Sequence, residues 1–351
     1  MTKFSDLIIA ENCQLIQALK KMDEQNKKLL IVSKDSKPIS LISIGDIQRA
    51  ILDGLALHSE VGLILRKDIT VSHINDNMET IKATMLKFRT DFMPLVDDSK
   101  EIKDVIFWED VFPAIERNSN SKLNLPVVVM AGGKGTRLQP ITNIIPKPLV
   151  PIGDKPIIEI IVDRFVHMGA SQFYFSVNYK ADMIQYYFNQ IKNRPYQIEY
   201  FTEDKPLGTA GSIHLLKDKI KETFFVSNCD ILIDEDYREI YNYHKSKENE
   251  LTIVAAIKHY SIPYGTIEFD EGGLLNKLTE KPDLNYFVNT GMYILEPHLI
   301  KEIPENEFFH ITDLIEKIKN RGGRVGVFPV SEGAWKDIGE WDEYLKHSVK
   351  K

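Results

Sequence analysis

Apolar and polar residues follow one pattern before about residue 120 and another after about residue 125. The second pattern consists of short apolar runs separated by segments with helical spacing. The runs predict strands at PVVVMAG, FYFSVN, IEYFTE, FFVSNCD, LTIVAAIK, GTIEF, GMYILE and VGVFPV. The intervening segments predict helices at IIEIIVDRFVHMG, ADMIQYYFNQIK, GSIHLLKDKI, IYNYHKSK and TDLIEKIKNRG. Alternation of nearly continuous apolar strands with helices predicts an α/β fold with a mostly parallel sheet that is covered on both faces.

The pattern before residue 120 repeats itself. LLIVSKDSKPISLISIGDI, from Leu29, aligns with FMPLVDDSKEIKDVIFWEDV, from Phe92, and corresponding residues such as Ile31 and Leu95 are 64 positions apart (95 − 31). A segment with helical spacing precedes each copy, LIQALKKM in the first and TIKATMLKF in the second. The repeat predicts a smaller α+β domain built from two helix–strand–turn–strand–helix units that bury each other's sheets.

A polar segment separates the two patterns. The sequence ERNSNSKLNL at residues 116–125 clusters Asn and Ser between apolar runs, which is a linker composition. We therefore expect a boundary close to residue 120, with domains at 1–120 and 121–351.

Composition and charge exclude several classes of protein. The formal net charge of −7 argues against general nucleic-acid binding, which favours a basic face. The two cysteines, Cys13 and Cys229, are too few for a disulfide framework, and no apolar run approaches the roughly 20 residues of a membrane helix. We expect a cytoplasmic protein with no membrane or nucleic-acid partner.

A glycine-rich segment directly after the first strand of the second domain carries the strongest chemical signal. In AGGKGTR, Gly132, Gly133 and Gly135 allow the backbone to approach a ligand and to point its N–H groups at phosphate oxygens. Arg137 adds a forked cation suited to phosphate. The segment lacks the Gly-Lys-Ser/Thr of the phosphate loop of nucleoside triphosphatases.

The longer motif, GGKGTRLQPIT followed by PKPLVPIGDKPII, resembles the N-terminal signature of sugar-1-phosphate nucleotidyltransferases, the NDP-sugar pyrophosphorylases. Every fixed position of that family's pattern, G-G-x-G-x-R-L-x-P-x-T and then P-K-P, is present. The motifs EDKPLGTAGSI, FFVSNCDILI, YGTIEF, LTEKP, FVNTGMYIL and AWKDIGEWDEYL continue the resemblance over almost all of 126–348. The resemblance implies a Rossmann-like, GT-A-like domain in which a sugar 1-phosphate oxygen attacks the α-phosphorus of a nucleoside triphosphate and pyrophosphate leaves.

The same resemblance implies roles for individual residues. Arg137 and Lys147 would hold the triphosphate, and Lys281 would hold the incoming sugar phosphate. Asp230 and Asp337 would bind Mg²⁺, although either residue alone is more typical of a helix cap or a turn. The expected nucleotide-binding residues are Gly132, Gly133, Gly135, Glu203, Gly208 and Thr209. The expected sugar-binding residues are Gly265, Glu280, Asn289 and Gly291.

Glu203 is the residue that indicates which nucleotide base the protein binds. In thymidylyl- and uridylyl-transferring relatives a Gln commonly stands at this position, whereas a carboxylate accepts both the N1–H and N2–H₂ groups of guanine, which favours GTP. The alternative is that Glu203 points into solvent. The order of the two domains resembles that of glucosamine-1-phosphate guanylyltransferases, which implies glucosamine 1-phosphate as the sugar. Mannose 1-phosphate, a dTTP- or UTP-using enzyme and a non-catalytic sensor are the alternatives.

The repeated N-terminal region resembles a tandem CBS-domain pair. In SIGDIQRAI, Ser43 and Asp46 match that family's hydroxyl and carboxylate positions, which implies an adenine-nucleotide site at which Asp46 binds ribose. In the second copy Asp110 is kept but Phe107 replaces the hydroxyl. The alternative is that the aspartates are helix N-caps. Because CBS pairs commonly dimerise through their helices, we expect a homo-oligomer.

Overall fold

In a computed structural model the chain divides into two compact units, Met1–Ser119 and Asn120–Lys351. The structure describes residues 4–25, 27–35, 37–66, 69–88, 92–107 and 122–348. Asp110 and most of the polar segment at 116–125 lie outside the described residues.

The first unit contains two three-stranded sheets and the helices that precede or follow their strands. Its strands are β1 (Ile8–Ala10), β2 (Leu29–Lys34), β3 (Lys37–Ser43), β4 (Ser72–His73), β5 (Phe92–Val96) and β6 (Ile102–Phe107). Its α-helices are α1 (Leu15–Gln25), α2 (Ile44–Leu52) and α3 (Met78–Phe88), and short 3-10 helices span Phe4–Leu7 and Val61–Ile64.

These two sheets have the same construction. In the first, β2 lies between β1, which is parallel to it, and β3, which is antiparallel. In the second, β5 lies in the same way between β4 and β6. The ammonium group of Lys27 lies 4.2 Å from the ring centre of Phe107, so residues of the two copies touch.

The second unit is built around one large sheet. Its strands are β7 (Val127–Met130), β8 (Pro151–Ile152), β9 (Lys155–Pro156), β10 (Gln172–Val177), β11 (Gln197–Thr202), β12 (Phe224–Asn228), β13 (Ile231–Ile233), β14 (Leu251–Ser261), β15 (Thr266–Phe269), β16 (Leu275–Thr279), β17 (Asp283–Leu295), β18 (Val325–Val330) and β19 (Trp335–Asp337). Its α-helices are α4 (Ile141–Ile144), α5 (Ile157–Met168), α6 (Ala181–Gln190), α7 (Tyr237–Ser246), α8 (Ile311–Asn320) and α9 (Trp341–Ser348). Its 3-10 helices span Thr136–Leu138, Lys147–Leu149, Gly211–Leu216 and Pro297–Glu302.

The seven strands of the large sheet stand in the order β11-β10-β7-β12-β17-β14-β18. The neighbouring pairs are parallel except at β17, which runs antiparallel to both β12 and β14. The prediction of a mostly parallel sheet is confirmed. The sequence pattern did not indicate the reversed direction of β17, because a buried strand reads alike in either direction.

Helices cover both faces of this sheet. Phe173 of β10 and Phe225 of β12 pack edge-on against Phe165 of α5. The next residues along the same strands, Tyr174 and Val226, belong to a buried cluster on the other face that includes two residues of α8, Leu314 and Ile318. Successive strand side chains point to opposite faces, so nearly continuous apolar strands are what a sheet covered on both sides requires.

The structure corrects one predicted helix and adds small sheets that the pattern missed. GSIHLLKDKI begins as a short 3-10 helix rather than an α-helix. Gly211 is a weak helix former, and a side chain on it would collide with the carbonyl oxygen of Glu307. The strand predicted at GTIEF is β15, but its partner β16 and the two-stranded sheets β8–β9 and β13–β19 were not predicted.

A two-stranded ribbon, which we call the arm, comprises residues 257–287. The pairing of β14 with β18 stops at Ala256, whereas β14 and β17 stay paired as far as Ser261 and Asp283. The hairpin β15–β16 continues from the end of this ladder. None of the described helices is long and apolar enough to span a membrane.

Candidate functional site

A cleft of about 380 Å³ lies where β7, β10 and β12 end, the edge at which open α/β sheets bind ligands. Its lining includes the glycine-rich segment after β7 and the residues at the end of β12. The lining residues are Met130, Gly132, Gly133, Gly135, Thr136, Arg137, Lys147, Ser176, Glu203, Pro206, Gly208, Thr209, Asn228, Cys229, Asp230 and Phe308. All six predicted nucleotide-binding residues are among them. Lys134 is exposed and is not part of this lining.

Two cations and three carboxylates form one ion-pair network at this cleft. Lys147, buried at 7% exposure, donates to Asp230, which is equally buried. Arg137 contacts Glu340 and lies 3.6 Å from Asp230 and 3.7 Å from Asp337. The predicted cations and the two predicted metal ligands therefore meet at one place, and in this arrangement the cations hold the carboxylates.

The pairing of two short strands brings Asp230 and Asp337 together. In the β13–β19 ladder, Ile231 stands opposite Asp337. The backbone N–H of Ile338 then donates to the carbonyl oxygen of Asp230 over 2.9 Å. A backbone ladder thus fixes the distance between two carboxylates that lie 107 positions apart in the sequence (337 − 230).

Two glycines leave the space that this network occupies. Gly135 has a φ of +65°, and a Cβ on it would lie 2.7 Å from the Cβ of Lys147. A Cβ on Gly339 would lie 2.6 Å from an Asp230 oxygen and 2.8 Å from an Asp337 oxygen, and it would also meet the Lys147 ammonium group. A side chain at Gly339 cannot coexist with these three groups, so this glycine is a structural requirement of the site.

The carboxylate pair suits a hard cation. Burial, and after it the neighbouring Asp230 carboxylate, raises the pKa of Asp337 above its ordinary value. Two carboxylates that each lie within 3 Å of one point repel one another unless positive charge stands between them. Mg²⁺ commonly binds to one or two carboxylates together with substrate phosphates, so the donor set fits that ion.

Glu203 lines the cleft, but its carboxylate already accepts two hydrogen bonds. The Ser176 hydroxyl donates to one oxygen over 3.0 Å, and the backbone N–H of Leu207 donates to the other over 2.8 Å. Glu203 therefore does not point freely into solvent. Each carboxylate oxygen keeps a second lone pair for a ligand, so the base-reading hypothesis requires Glu203 to accept ligand N–H groups beside these two donors.

Gly208 and Thr209 reach the cleft by packing on the chain that enters α8. Gly208 has a φ of +80°, and a Cβ there would lie 2.7 Å from the carbonyl oxygen of Phe309. The Thr209 hydroxyl accepts from the backbone N–H of Ile311 over 3.0 Å. This hydroxyl accepts a backbone N–H that has no partner within the first turn of α8. The sequence did not indicate this structural role of Thr209.

The residues predicted to bind sugar are placed differently. Gly265, Glu280 and Lys281 lie on the arm, and none of them is among the residues that line the cleft. The Asn289 amide donates to the Tyr293 hydroxyl over 2.7 Å and accepts from the backbone N–H of Gly291 over 3.0 Å.

Gly291 alone among these predicted residues packs against the cleft lining. Its φ is +86°, and a Cβ on it would collide with the side-chain amide of Asn228. The structure therefore places Arg137, Lys147 and Asp230 in the cleft lining with Asp337 beside Arg137, and it leaves Lys281 outside that lining.

Sequence reasoning missed Gly339, Glu340, Ser176 and Asn228 at this site. A signal existed for the first two, because they follow Asp337 directly in the quoted motif AWKDIGEWDEYL. The indole N–H of Trp341 also donates to the carbonyl oxygen of Gln139 over 3.2 Å, so residues 338–341 tie the end of the chain to the glycine-rich segment. Only the fold could reveal this contact, since the two segments lie 202 positions apart.

Cys229 lines the cleft but is unsuited to nucleophilic chemistry. Burial raises the pKa of its thiol to about 12, and the neighbouring Asp230 carboxylate acts in the same direction. The thiol therefore stays protonated at neutral pH.

Ser43 and Asp46 of the first unit form a helix cap. Ser43 is the N-cap of α2, and Asp46, at the third position of the helix, accepts from the backbone N–H of Ser43 over 2.8 Å. The alternative interpretation expected Asp46 itself to be the N-cap. The N-cap is instead Ser43, three residues earlier. Arg66 donates to Asp46 over 2.6 Å, and hydrogen bonds from Arg66 and Ser43 outweigh burial and lower the pKa of Asp46.

Comparisons with known proteins support a nucleotide-binding role for the cleft. The Nucleotidyl transferase family profile matches residues 126–351. The chain belongs to this nucleotidyltransferase family. A mannose-1-phosphate guanyltransferase of Saccharomyces cerevisiae is 32% identical over 236 residues, which cover 63% of each chain. The catalytic subunit beta of mannose-1-phosphate guanylyltransferase from Xenopus tropicalis is 30% identical over 229 residues, again 63% of each.

Among solved structures, this nucleotidyltransferase is similar to HddC from Yersinia pseudotuberculosis, with a TM-score of 0.51 and 27% identity over 64% of this chain and 98% of HddC. HddC has also been solved in complex with GMP-PN, with the same TM-score and identity. The chain spans only 63% of the length of the curated relatives it matches. The family profile starts at residue 126 and therefore falls within the second unit.

Proposed function

We propose that the chain is a sugar-1-phosphate guanylyltransferase that transfers GMP from GTP to a hexose 1-phosphate and releases pyrophosphate. The observation that carries the proposal is the grouping of Arg137, Lys147, Asp230 and Asp337 in one cleft beside the glycine-rich segment. A non-catalytic sensor has no evident need for this costly arrangement of buried charge.

In the proposed reaction, the chain's own residues neutralise charge and fix geometry. Backbone N–H groups of Gly132, Gly133 and Gly135 approach the phosphates. Arg137 and Lys147 exchange their present carboxylate partners for triphosphate oxygens and stabilise the departing pyrophosphate. Mg²⁺, held by Asp230 and Asp337, supplies charge neutralisation at the phosphates when it is bound.

Glu203 and the relatives support guanine as the base. Glu203 lines the cleft, the curated relatives carry the name mannose-1-phosphate guanylyltransferase, and HddC binds GMP-PN. The Glu203→Gln variant tests the base assignment, because its amide replaces one acceptor with a donor. We expect the ratio of GTP to dTTP turnover to fall by about tenfold or more. An unchanged ratio would remove Glu203 from base recognition.

The sugar is the less constrained part of the proposal. Glucosamine 1-phosphate follows from the resemblance of the domain order, whereas the names of the curated relatives favour mannose 1-phosphate. The deciding experiment follows pyrophosphate release with Mg²⁺ across a grid. Its rows are the 1-phosphates of glucosamine, mannose, glucose, N-acetylglucosamine and a heptose, and its columns are the nucleotides GTP, dTTP, UTP, CTP and ATP.

Each result of the grid has a defined meaning. Release in the GTP column supports the proposal, and its strongest row names the sugar. Release in the dTTP or UTP column keeps the reaction and overturns the base. No release from folded protein with any pair contradicts the proposed activity with these substrates.

For the first unit we propose a CBS-type pair that binds an adenine nucleotide. The repeated sheet order supports it. The occupied carboxylate of Asp46 weighs against it, because a ribose must displace Arg66. Isothermal titration of the full chain with AMP and ATP tests the proposal, and Asp46→Ala should abolish any heat that belongs to this site. The expected cytoplasmic location stays a prediction.

A further inference from the structure

The arm exposes an unusual amount of apolar surface. Among the described residues, 20 large hydrophobic side chains are exposed, and half of them lie within the arm. They are Tyr260, Tyr264, Ile267, Phe269, Leu274, Leu275, Leu278, Leu284, Tyr286 and Phe287. The first unit contributes three of the remaining ten, so the concentration in the arm is not a general property of the surface. Exposed apolar side chains that share one face mark an interaction surface.

The hairpin at the end of the arm has one apolar and one polar face. Ile267 stands opposite Leu278, and Phe269 stands opposite Leu275. The alternate positions carry Glu268 opposite Lys277 and Thr266 opposite Thr279. We call Ile267, Phe269, Leu275 and Leu278 the hairpin face, and their exposed fractions range from 61% to 71%.

The apolar face of a two-stranded hairpin needs another element to pack against it. A two-stranded hairpin is marginally stable in water and normally packs its apolar face against another element. In the second unit the hairpin face is open, and the outer edges of β15 and β16 have no neighbouring strand among the described residues. The apolar residues therefore fit a surface that is buried in an assembly.

The size of the surface matches a protein interface. The four side chains of the hairpin face present on the order of 500 Å² of apolar area at their observed exposure, and exposed residues elsewhere on the arm add to it. A specific interface needs about 500 Å² from each partner, and a standard one uses about 800 Å². The arm alone can thus supply one side of a stable contact.

The charge distribution favours a second copy of the same chain as the partner. A two-fold contact uses the same face of both copies, so a net charge on that face would meet a like charge across the contact. The hairpin face carries no charge, while Glu268 and Lys277 pair with one another on the opposite face, 3.6 Å apart. We propose that the arm is a homodimer contact in which the hairpin faces of two copies pack together.

The proposal does not depend on the chemistry of the cleft, and it is tested on the full chain. Hydrogen exchange of residues 266–279 is measured at high and at low protein concentration, together with the mass from analytical ultracentrifugation. We expect the hairpin amides to be protected at high concentration and to exchange rapidly at low concentration. Protection that does not change with concentration, as expected if another part of the same chain covers the face, would overturn the proposal. Rapid exchange at both concentrations would also overturn it.

Two charged variants and a matched control sharpen the test. Phe269→Glu and Leu278→Glu each bury one carboxylate from both copies in the same apolar contact, so either should raise the dissociation constant of this contact by about 100-fold or more. Tyr186→Glu is the control, because Tyr186 is a ring of similar exposure, 69% against 71%, on α6. The control should keep the concentration-dependent protection. Circular dichroism verifies that all three variants fold.

Direct cross-linking separates this contact from any assembly through the first unit. Ile267→Cys should give a covalent dimer with a short bismaleimide, and Tyr186→Cys should not. A covalent dimer that forms equally well from both, or from neither, contradicts a contact between hairpin faces. The native Cys13 and Cys229 are replaced by serine in both proteins, since Cys13 is partly exposed.

Discussion

The cleft and the arm belong to the same sheet, yet the chain builds them in opposite ways. In the cleft, charged side chains are buried and paired on short segments that strand ladders hold in place, as Lys147 and Asp230 are. In the arm, Lys281 and Glu280 are exposed, and the surrounding surface is apolar. The residues assigned to the nucleotide are thus preassembled, whereas Glu280 and Lys281 on the arm are exposed to solvent.

This difference suggests a division of work. A preassembled set of cations holds its geometry before the substrate arrives, which is how charge neutralisation becomes effective in catalysis. The exposed side chains of the arm leave room for a substrate or for the partner that we propose for its hairpin face. Mutations should therefore affect turnover and stability together in the cleft, and binding alone in the arm.

The largest effect is expected from Lys147→Ala. The change removes a buried cation, so turnover should fall by about 10²- to 10³-fold. The free energy of unfolding should fall by roughly 2–3 kcal/mol, because Asp230 keeps only Arg137, 3.6 Å away. Steady-state kinetics and urea denaturation measure the two effects. Lys134→Ala, an exposed lysine of the same segment, is the control and should change neither. A loss of activity with unchanged stability would show that the buried pair is not preassembled.

Gly339→Ala is expected to have the next largest effect. The new methyl group would meet Lys147, Asp230 and Asp337 at less than 3.0 Å, so the network must open. We expect turnover to fall by about 100-fold. Thermal unfolding provides the comparison with Gly133→Ala, since a Cβ on Gly133 has no neighbour within 4 Å. Equal melting temperatures for the two variants would refute the requirement for glycine at 339.

The contrast between cleft and arm also separates what the sequence could predict from what it could not. The glycine-rich motif after β7 placed Gly132, Gly133 and Gly135 at the cleft, because ligand sites lie where parallel strands end. The nearly continuous apolar strands likewise predicted a sheet covered on both faces. Local pattern and general topology are sufficient for such features.

The pairing of strands that are far apart in the sequence could not be predicted from the pattern of apolar and polar residues. The ladder that joins Asp230 to Asp337 uses two three-residue strands, which are too short to produce a recognisable alternation. The antiparallel direction of β17 and the ribbon that follows from it depend on the neighbours of each strand in space. The motif placed Gly339 and Glu340 next to Asp337 in the sequence, but their contacts with Lys147 and Arg137 follow from that ladder.

A smaller and more selective effect is expected from Lys281→Ala on the arm. If Lys281 binds the incoming phosphate, the KM for the sugar 1-phosphate should rise about 10- to 100-fold, which matches a hydrogen bond to a charged group. The KM for GTP and the melting temperature should not change. Lys277→Ala is the matched control, because Lys277 is an exposed lysine of the same hairpin that pairs with Glu268. If the KM for the sugar 1-phosphate is the same in both variants, Lys281 has no part in the site.

The smallest effect is expected from a fall in pH, which should lower the stability of the large sheet and leave the hydrogen exchange of the arm unchanged. His244 is fully buried under β14, where it contacts the Thr252 hydroxyl at 2.8 Å and Glu296 at 3.2 Å. Burial lowers the pKa of His244 although Glu296 opposes the shift. Below the ordinary histidine pKa of about 6.5, the unfolded chain therefore binds more protons than the folded chain, and stability falls with pH by up to about 1.4 kcal/mol per unit.

Urea denaturation between pH 7 and pH 5 measures this slope, and His244→Gln should reduce it by that amount because glutamine does not titrate. Hydrogen exchange of residues 266–279, corrected for the intrinsic effect of pH, should not follow the same dependence, since His244 contacts the opposite end of β14. If His244→Gln keeps the full slope, another group controls the acid response. If the arm loosens together with the sheet, the two regions unfold as one unit, and the contrast between a preassembled cleft and an independently ordered arm no longer holds.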